Sequence, residues 1–326
     1  METATDNAIK PRSKKQTVAY IGIVFVVIIW GLYPIFTSGL LERYSGGIFT
    51  FVSSLIAAVA LLPECVSKFR LLDRSYFKVA VPTGLFVGVA NLMQKIGLRY
   101  TTPTQYAFLE NLSCVVVPLL LFLFIRKKPT FLTVTASVLC LAGCFVMSGF
   151  NPTDTGLSFG GGEILCALAG VFYGVNIAAT GVYATRLNAM LYVMIQMWVN
   201  VAVSGVAALA LHFIRPGGVP IEAIEFSWDP KDLLILSALV LSISTFGWII
   251  RTEVLKYVNA SAVAVIMPFS SVVTGVVAVA VGRDAFALPL LFGGLVILLS
   301  SILSSVADIR ENKRKNEHLK EPIDDD

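Results

Sequence analysis

The chain has 326 residues, of which 56% are hydrophobic and 14% are charged, and its formal net charge at pH 7 is +4. Soluble proteins carry about 25% charged residues, so this composition excludes a soluble globular protein. Basic residues cluster in the two tails, where they suit anionic lipid headgroups, and no pattern indicates nucleic acid. Four of the five cysteines fall inside apolar blocks, which predicts packing roles rather than disulfides or metal ligands.

The apolar residues occur in blocks of about 17 to 25, the length that a helix needs to cross a hydrocarbon layer of about 30 Å. We therefore predict an all-α integral membrane protein with ten transmembrane helices. Lys95 and Arg251 interrupt the third and the eighth block. The first block is too long for a signal peptide and lacks a small-residue cleavage site. The blocks span residues 17–40, 46–63, 79–98, 104–125, 130–150, 163–185, 190–214, 233–254, 260–282 and 285–307.

Positive charge is distributed unevenly between the two sides of this arrangement. With ten spans, the tails and every second loop share one side, and that side contains 18 lysines and arginines against five on the other. The positive-inside rule therefore predicts that both termini are cytoplasmic and that the protein lies in the cytoplasmic membrane, inner or plasma, as a multi-pass protein.

Two passages of the chain are similar to each other. LRYTTPTQYAFLENLSCVV (98–116) aligns without a gap with LKYVNASAVAVIMPFSSVV (255–273), at an offset of 157 residues. Trp30-Gly31 corresponds more faintly to Tyr173-Gly174, at an offset of 143. Each half then contains five helices, and an odd number places the second half upside down in the membrane. The sequence thus predicts two inverted five-helix repeats.

These motifs resemble those of a known family. WGLYP (30–34), the L-[RK]-Y phrases at 98–100 and 255–257, LENLSCVVVPLLLFLFIRKKPT (109–130) and MPFSSVVTGVVAVAVGRDAF (267–286) are similar to EamA-type ten-helix transporters of the drug/metabolite transporter (DMT) superfamily. The resemblance covers residues 17–307. It implies movement of small metabolites such as amino acids, sugars, nucleotide sugars or drugs by alternating access. The small four-helix multidrug members are similar in using a glutamate in their first helix for proton coupling, but residues 17–40 contain no acid.

The resemblance and the repeat together divide the chain into five segments. We expect a cytoplasmic N-terminal tail, a first EamA-like repeat, an extracytoplasmic linker, a second EamA-like repeat, and a charged, disordered cytoplasmic C-terminal tail. Their bounds are 1–16, 17–150, 151–162, 163–307 and 308–326.

Charged residues inside the apolar blocks are the first candidates for function, because a charge in hydrocarbon is costly unless it faces water, a partner or cargo. Lys95 and Glu110 flank the outer turn between the third and fourth helices, where they could form a structural ion pair or face a cavity. Glu110 is the candidate for binding a proton or a cationic group, and its repeat equivalent is Met267. Arg251 aligns with Gln94, which fits a shared cavity lining, although snorkelling to lipid headgroups is an alternative.

Uncharged polar and aromatic residues near the middle of the blocks are further candidates for cargo binding. They would line a weakly charged, aromatic pocket near mid-membrane, although hydrogen bonds between helices and simple packing would also place such residues there. These candidates are Trp30, Tyr33, Asn91, Tyr173, Asn176, Gln196, Trp198, Asn200, Trp248 and Ser270, and Pro34, Pro118 and Pro268 are candidate kink or gating points.

The function that these observations favour is secondary transport of a small organic solute, an amino acid, a drug-like molecule or a related metabolite. Export is the expected direction, and proton coupling is left open. We expect no enzyme activity, cofactor or metal. The partners expected are the solute, protons and membrane lipid, and the protein could be a monomer or a homodimer. The alternatives are a non-transporting membrane protein, such as a lipid-modifying enzyme or a sensor, and an exchanger of sugar phosphates or other anions that uses Lys95 and Arg251.

Overall fold

The computed structural model describes residues 12–98, 100, 109–126, 128–147, 161–214, 228–282 and 288–318. These residues form helices and connecting turns, with no strand among them. The helices are α1 (Arg12–Arg43), α2 (Gly46–Val66), α3 (Arg74–Leu98), α4 (Ser113–Ile125), α5 (Phe131–Met147), α6 (Gly161–Tyr183), α7 (Ala189–Phe213), α8a (Pro230–Leu239), α8b (Phe246–Val254), α9a (Ala260–Ile266), α9b (Phe269–Ala280) and α10 (Leu288–His318).

Eight helices are long and apolar enough to cross a membrane when α8a–α8b and α9a–α9b are each taken as one span. The other two, α4 and α5, are apolar but shorter in the described part of the chain. The protein is therefore a multi-pass membrane protein. The blocks seen in the sequence coincide with these helices, and the largest extensions are at the ends of α1, α3 and α10.

Helix starts follow from local capping chemistry. The side chain of Asn188 accepts hydrogen bonds from the backbone amides of Met190 and Leu191, at 3.1 and 3.3 Å, and so caps α7. Asp229 caps α8a by accepting from the amide of Lys231 at 2.8 Å, and Pro230 occupies the first helical position, where no amide proton is needed.

Three helices depart from regular α-helical geometry. Helix α9 turns at Met267-Pro268, between α9a and α9b, where the sequence predicts a kink. A turn at Asn111-Leu112 likewise separates the helical residues Leu109-Glu110 from α4. These two breaks fall within one residue of each other when the two similar passages are superposed at the offset of 157. The third irregularity is a π-helical turn over Val240–Thr245 that joins α8a to α8b. By contrast, α1 and α4 are uninterrupted at Pro34 and Pro118.

Packing brings the two halves of the chain together. Helix α5 packs along α10, α2 along α7 and α3 along α6, while α1 packs on α8b and α9b. One buried apolar cluster includes Phe49, Val87 and Tyr192, and a second includes Val26 and Val263. The side chain of Trp30 packs against both clusters. Trp30 of α1 therefore joins the two buried clusters.

Two glycines allow close helix crossings at equivalent places. A Cβ on Gly31 of α1 would lie 2.6 Å from the carbonyl oxygen of Ser270 and 2.7 Å from Cβ of Val273. A Cβ on Gly174 of α6 would lie 2.8 Å from Cγ1 and 3.1 Å from Cβ of Val116. In the alignment of the two passages, Val116 corresponds to Val273. The same helix crossing is therefore made by α1 with α9b and by α6 with α4.

The C-terminal part of α10 corrects a prediction. A disordered tail was expected from Asp308, but residues 308–318 continue the helix, and residues 319–326 lie outside the described ranges. Asp308 is 3% exposed, and its carboxylate accepts hydrogen bonds from Tyr20 Oη (3.0 Å), Gln16 Nε2 (3.1 Å) and the amide of Asn259 (3.1 Å). These contacts tie the end of α10 to α1 and to the start of α9a, which is why the helix is ordered there.

Candidate functional site

The first group of polar residues at the centre lies between α3 and α6. The Tyr173 hydroxyl lies 2.6 Å from Oδ1 of Asn91 and 3.1 Å from Oε1 of Gln94. Gln94 in turn donates from Nε2 to Oε1 of Glu110 at 2.7 Å. We call Tyr173, Asn91 and Gln94 the polar triad. Because a glutamine carries both a donor and an acceptor, Gln94 links the phenol to the carboxylate.

The second group lies between α1 and α8b and consists of Trp30, Trp248 and Arg251, which we call the cationic triad. The two indole rings are 5.3 Å apart between centroids and are tilted by 54°. The guanidinium carbon of Arg251 lies 4.2 Å from the Trp248 centroid and 6.0 Å from the Trp30 centroid. Two aromatic faces thus stabilise one buried cation through cation–π contact.

The two triads occupy equivalent positions in the two similar halves. At the offset of 157, Asn91 corresponds to Trp248 and Gln94 to Arg251, and at the offset of 143, Trp30 corresponds to Tyr173. Side chains on a helix lean toward its N-terminus. Gln94 and Arg251, each near the C-terminal end of its helix, therefore both reach back toward the middle of the bundle.

Asn176 connects the cationic triad to a buried hydrogen-bond network. Its Oδ1 accepts from Nη2 of Arg251 at 2.5 Å, and its Nδ2 donates to the backbone carbonyl of Thr83 at 2.9 Å. The Thr83 hydroxyl accepts from Tyr192 Oη (2.7 Å) and from Nε2 of Gln196 (3.0 Å). This network orients the amide of Asn176, so that its oxygen faces the guanidinium.

Lys95 and Glu110 lie next to the polar triad: Glu110 contacts Gln94, and Lys95 follows Gln94 in α3. The ammonium of Lys95 is 5.4 Å from the centroid of the Tyr33 ring, and the charge of Glu110 acts on it. Glu110 precedes the break before α4, and its backbone carbonyl approaches Gly170 of α6 so closely that a Cβ there would lie 2.7 Å from it. The acid is therefore held against α6, one helical turn from Tyr173.

Other residues expected at the site fall in different places. Trp198 is 39% exposed on the outside of the bundle, and the structure does not bring it to the triads. Asn200 is buried between α7 and α3, facing Gly88. Ser270 meets α1 through its carbonyl oxygen, which is part of the crossing at Gly31.

Several residues of the network were not expected from the sequence. Thr83 and Tyr192 are buried hydrogen-bonding partners, but they lie near the ends of their apolar blocks, and the candidates were sought near the middle. Gly247 is a further case, because a Cβ there would lie 2.1 Å from Nε1 of Trp30. Only the absence of a side chain at Gly247 lets the Trp30 indole lie beside α8b.

Comparisons with known proteins agree with this architecture. Residues 17–149 match the sequence profile of the EamA-like transporter family. A protein of Archaeoglobus fulgidus described as an uncharacterized transporter is 24% identical over 293 residues, covering 90% of this chain and 87% of its own. A protein of known crystal structure superposes with a TM-score of 0.69 at 16% identity, covering 90% of this chain and 98% of that one, which shows the fold alone. On this evidence the chain is a membrane transporter, and its residues 17–149 are similar to the EamA-like transporter family.

Proposed function

We propose that this protein is a secondary transporter that moves a small organic solute across the cytoplasmic membrane by alternating access, with export as the direction. The solute class proposed is an amino acid, a drug-like molecule or a related metabolite. The observation that carries the proposal is the pairing of the polar and cationic triads. They occupy equivalent positions in the two similar halves, and Tyr173 of the one interacts electrostatically with Arg251 of the other.

The proposal includes ten spans arranged as two inverted five-helix repeats, with both termini in the cytoplasm. Three structural correspondences support this arrangement. They are the matched triads, the matched breaks before α4 and within α9, and the matched crossings at Gly31 and Gly174. Two halves of the same design can pack in two mirror-related ways, which open a central site to one side and then to the other. Discontinuous helices beside such a site are typical of secondary transporters.

Most polar groups of the site are buried in this conformation, while Trp30 and Asn91 are partly exposed. Arg251 is 1% exposed, Asn176 and Gln196 are fully buried, and Tyr173 and Trp248 are nearly so. A solute can reach these side chains only after one end of the bundle opens. We therefore assign the conformation to an occluded state of the cycle, and the buried polar groups to the surface that cargo contacts when the bundle opens.

Glu110 is the residue that we propose for proton coupling. It is the acid bonded to the polar triad through Gln94, and Met267 stands at its equivalent in the second half. A carboxyl group that gains and loses a proton during the cycle would change the hydrogen bonds available to Gln94. Proton binding would thereby be linked to the geometry of the site.

Flux through purified protein in liposomes tests this function. We expect at least one solute from a panel of amino acids, monocarboxylates, sugars and lipophilic cations to cross only in vesicles that contain the protein. The double variant Glu110→Gln/Arg251→Gln should lose at least about tenfold of that flux, a change of about 1.4 kcal/mol in the barrier. Absence of flux for every solute class would contradict the proposal.

A matched pair of variants isolates the coupling role. Glu110→Gln should make flux insensitive to an imposed pH gradient, whereas Glu253→Gln, which changes an acid paired with Lys256 outside the site, should keep the wild-type response. If the wild type itself ignores the pH gradient, facilitated exchange replaces proton coupling and the transport proposal stands.

A further inference from the structure

Arg251 is a buried cation whose charge the described protein does not neutralise. Its Nη2 donates to the neutral amide oxygen of Asn176, and its Nε donates to no acceptor among the described residues. No carboxylate of the described chain forms an ion pair with it. A buried charge is normally paired, since an unpaired one loses its hydration without replacement. Contact with the faces of Trp248 and Trp30 offsets only part of that loss.

The position equivalent to Arg251 in the first half has a carboxylate beside it, which Arg251 lacks among the described residues. Gln94 corresponds to Arg251, and Gln94 bonds Glu110 at 2.7 Å. The residue that corresponds to Glu110 in the second half is Met267, which carries no charge. The first half therefore has the acid with a neutral amide beside it, and the second half has the cation without an acid.

Among the described residues, the charges around the two triads leave one positive charge in excess. Lys95 and Glu110 carry opposite charges and interact electrostatically, and Tyr173 and Tyr192 beside Arg251 are neutral phenols at pH 7. Arg251 therefore lacks one negative charge. A carboxylate supplies that charge, whereas a phosphate monoester carries about −1.5 to −2 at pH 7 and would overcompensate it.

We propose that the transported solute carries one carboxylate, which binds Arg251, and an apolar body, which lies against Trp30 and Trp248. This inference rests on the proposed transport function and names its substrate class. The edge of the guanidinium that includes Nε matches a carboxylate in a two-point hydrogen bond. Asn176 accepts one hydrogen of Nη2, which leaves the second Nη2 hydrogen and Nε for the carboxylate, and its own bond to the carbonyl of Thr83 keeps it in place.

Four phenyl compounds of similar size and different charge test the proposal. They are phenylacetate, its neutral amide phenylacetamide, the cation 2-phenylethylammonium and the dianion phenyl phosphate. Thermal stability of the purified full-length protein is measured against the concentration of each probe. We expect phenylacetate to reach half-maximal stabilisation at a concentration at least about tenfold lower than the other three, since a ligand that binds only the folded state raises its stability.

Two variants connect this selectivity to Arg251. Arg251→Gln introduces the residue that stands at the equivalent position in the first half, and it should remove the preference for phenylacetate over phenylacetamide. Asn176→Asp gives the guanidinium an internal counter-ion within hydrogen-bond distance and loses the donation to the carbonyl of Thr83, so it should require at least about tenfold more phenylacetate whatever its change in stability. A purely structural role of Arg251 would change the melting temperature of both variants and leave the order of the probes unchanged, which would overturn the inference.

The flux assay separates failure of this inference from failure of the transport function. If a neutral or cationic solute crosses and phenylacetate neither stabilises the protein nor competes with that solute, the carboxylate inference is overturned and transport stands. Stronger stabilisation by phenyl phosphate than by phenylacetate would likewise overturn it in favour of a dianion. If no solute crosses, the function on which the inference rests has failed as well.

Discussion

Trp30 of α1 and Tyr173 of α6 occupy equivalent positions in the two similar halves, but their side chains make different contacts. The Tyr173 hydroxyl lies within hydrogen-bond distance of Asn91 and Gln94, while the ring of Trp30 contacts Trp248 and Arg251. The site is therefore symmetric in backbone position and asymmetric in charge. Such asymmetry allows a solute to be bound in one orientation.

The contact between Gly247 and Trp30 gives a prediction at the scale of one residue. Gly247→Ala places a methyl group 2.1 Å from the indole nitrogen, so the ring must move away from Trp248 and Arg251. We expect solute flux to fall by at least about tenfold, with an overpacking cost of about 1–3 kcal/mol in stability. Flux and thermal melting of the same preparation measure the two effects.

Gly39→Ala in α1 is the matched control for that substitution. A Cβ at Gly39 meets nothing within 4 Å, so this variant should retain wild-type flux and gain about 1 kcal/mol of helix propensity. Equal flux in the Gly247→Ala and Gly39→Ala variants would contradict the role given to the Trp30 ring.

At this scale the sequence indicated part of the site. Polar and charged residues stand out in apolar blocks, so Asn91, Gln94, Asn176 and Arg251 were all identified as candidates. Tyr192 and Thr83 were overlooked because they lie near the ends of their apolar blocks, whereas candidates were sought near the middle. Trp198 was expected at the site because it lies near the centre of its block, but position along a helix does not determine which way a side chain faces, and Trp198 faces outward.

At the scale of helices, the positions of the spans could be predicted because a 30 Å hydrocarbon layer imposes a length and a composition on every crossing. Proline predicted the break in α9, whereas the break before α4 has no proline and was not predicted. The extension of α10 to His318 was missed because an ordered charged helix and a disordered tail have similar compositions. What decides between them is the burial of Asp308 against α1 and the turn before α9a.

The glycine crossings give a graded prediction for helix packing. Gly31→Ala would push a methyl group against the backbone oxygen of Ser270, which moves only if α1 and α9b separate. Gly174→Ala meets first a γ-methyl group of Val116, which can rotate. We expect thermal stability in detergent to fall by about 2–3 kcal/mol for Gly31→Ala and by about 1 kcal/mol for Gly174→Ala. The opposite order would contradict this description of the crossings.

At the scale of the whole molecule, each end of the bundle is closed by a buried aspartate. At the end that the proposed topology places outside, Asp232 accepts from Tyr44 Oη at 2.9 Å and pairs with Arg43 at 2.7 Å. At the opposite end, Asp308 binds Tyr20, Gln16 and the amide of Asn259. We call Asp232 and Asp308, each with its partners, the two latches. Both join α1 to the second half of the chain. Opening one end of the bundle therefore requires one of these carboxylates to lose its partners.

The measurement that tests alternating access most directly is thiol labelling at both ends in the two latch variants. Leu40→Cys reports on the outer end and Val258→Cys on the inner end, since both positions are 2% exposed and the five native cysteines are buried. We expect Asp232→Asn to speed labelling at Leu40→Cys and slow it at Val258→Cys, and Asp308→Asn to do the reverse, each by about three- to tenfold for a shift of about 1 kcal/mol. If either variant loosens both ends together, or leaves the distant end unchanged, the two ends are not coupled and the account of alternating access is contradicted.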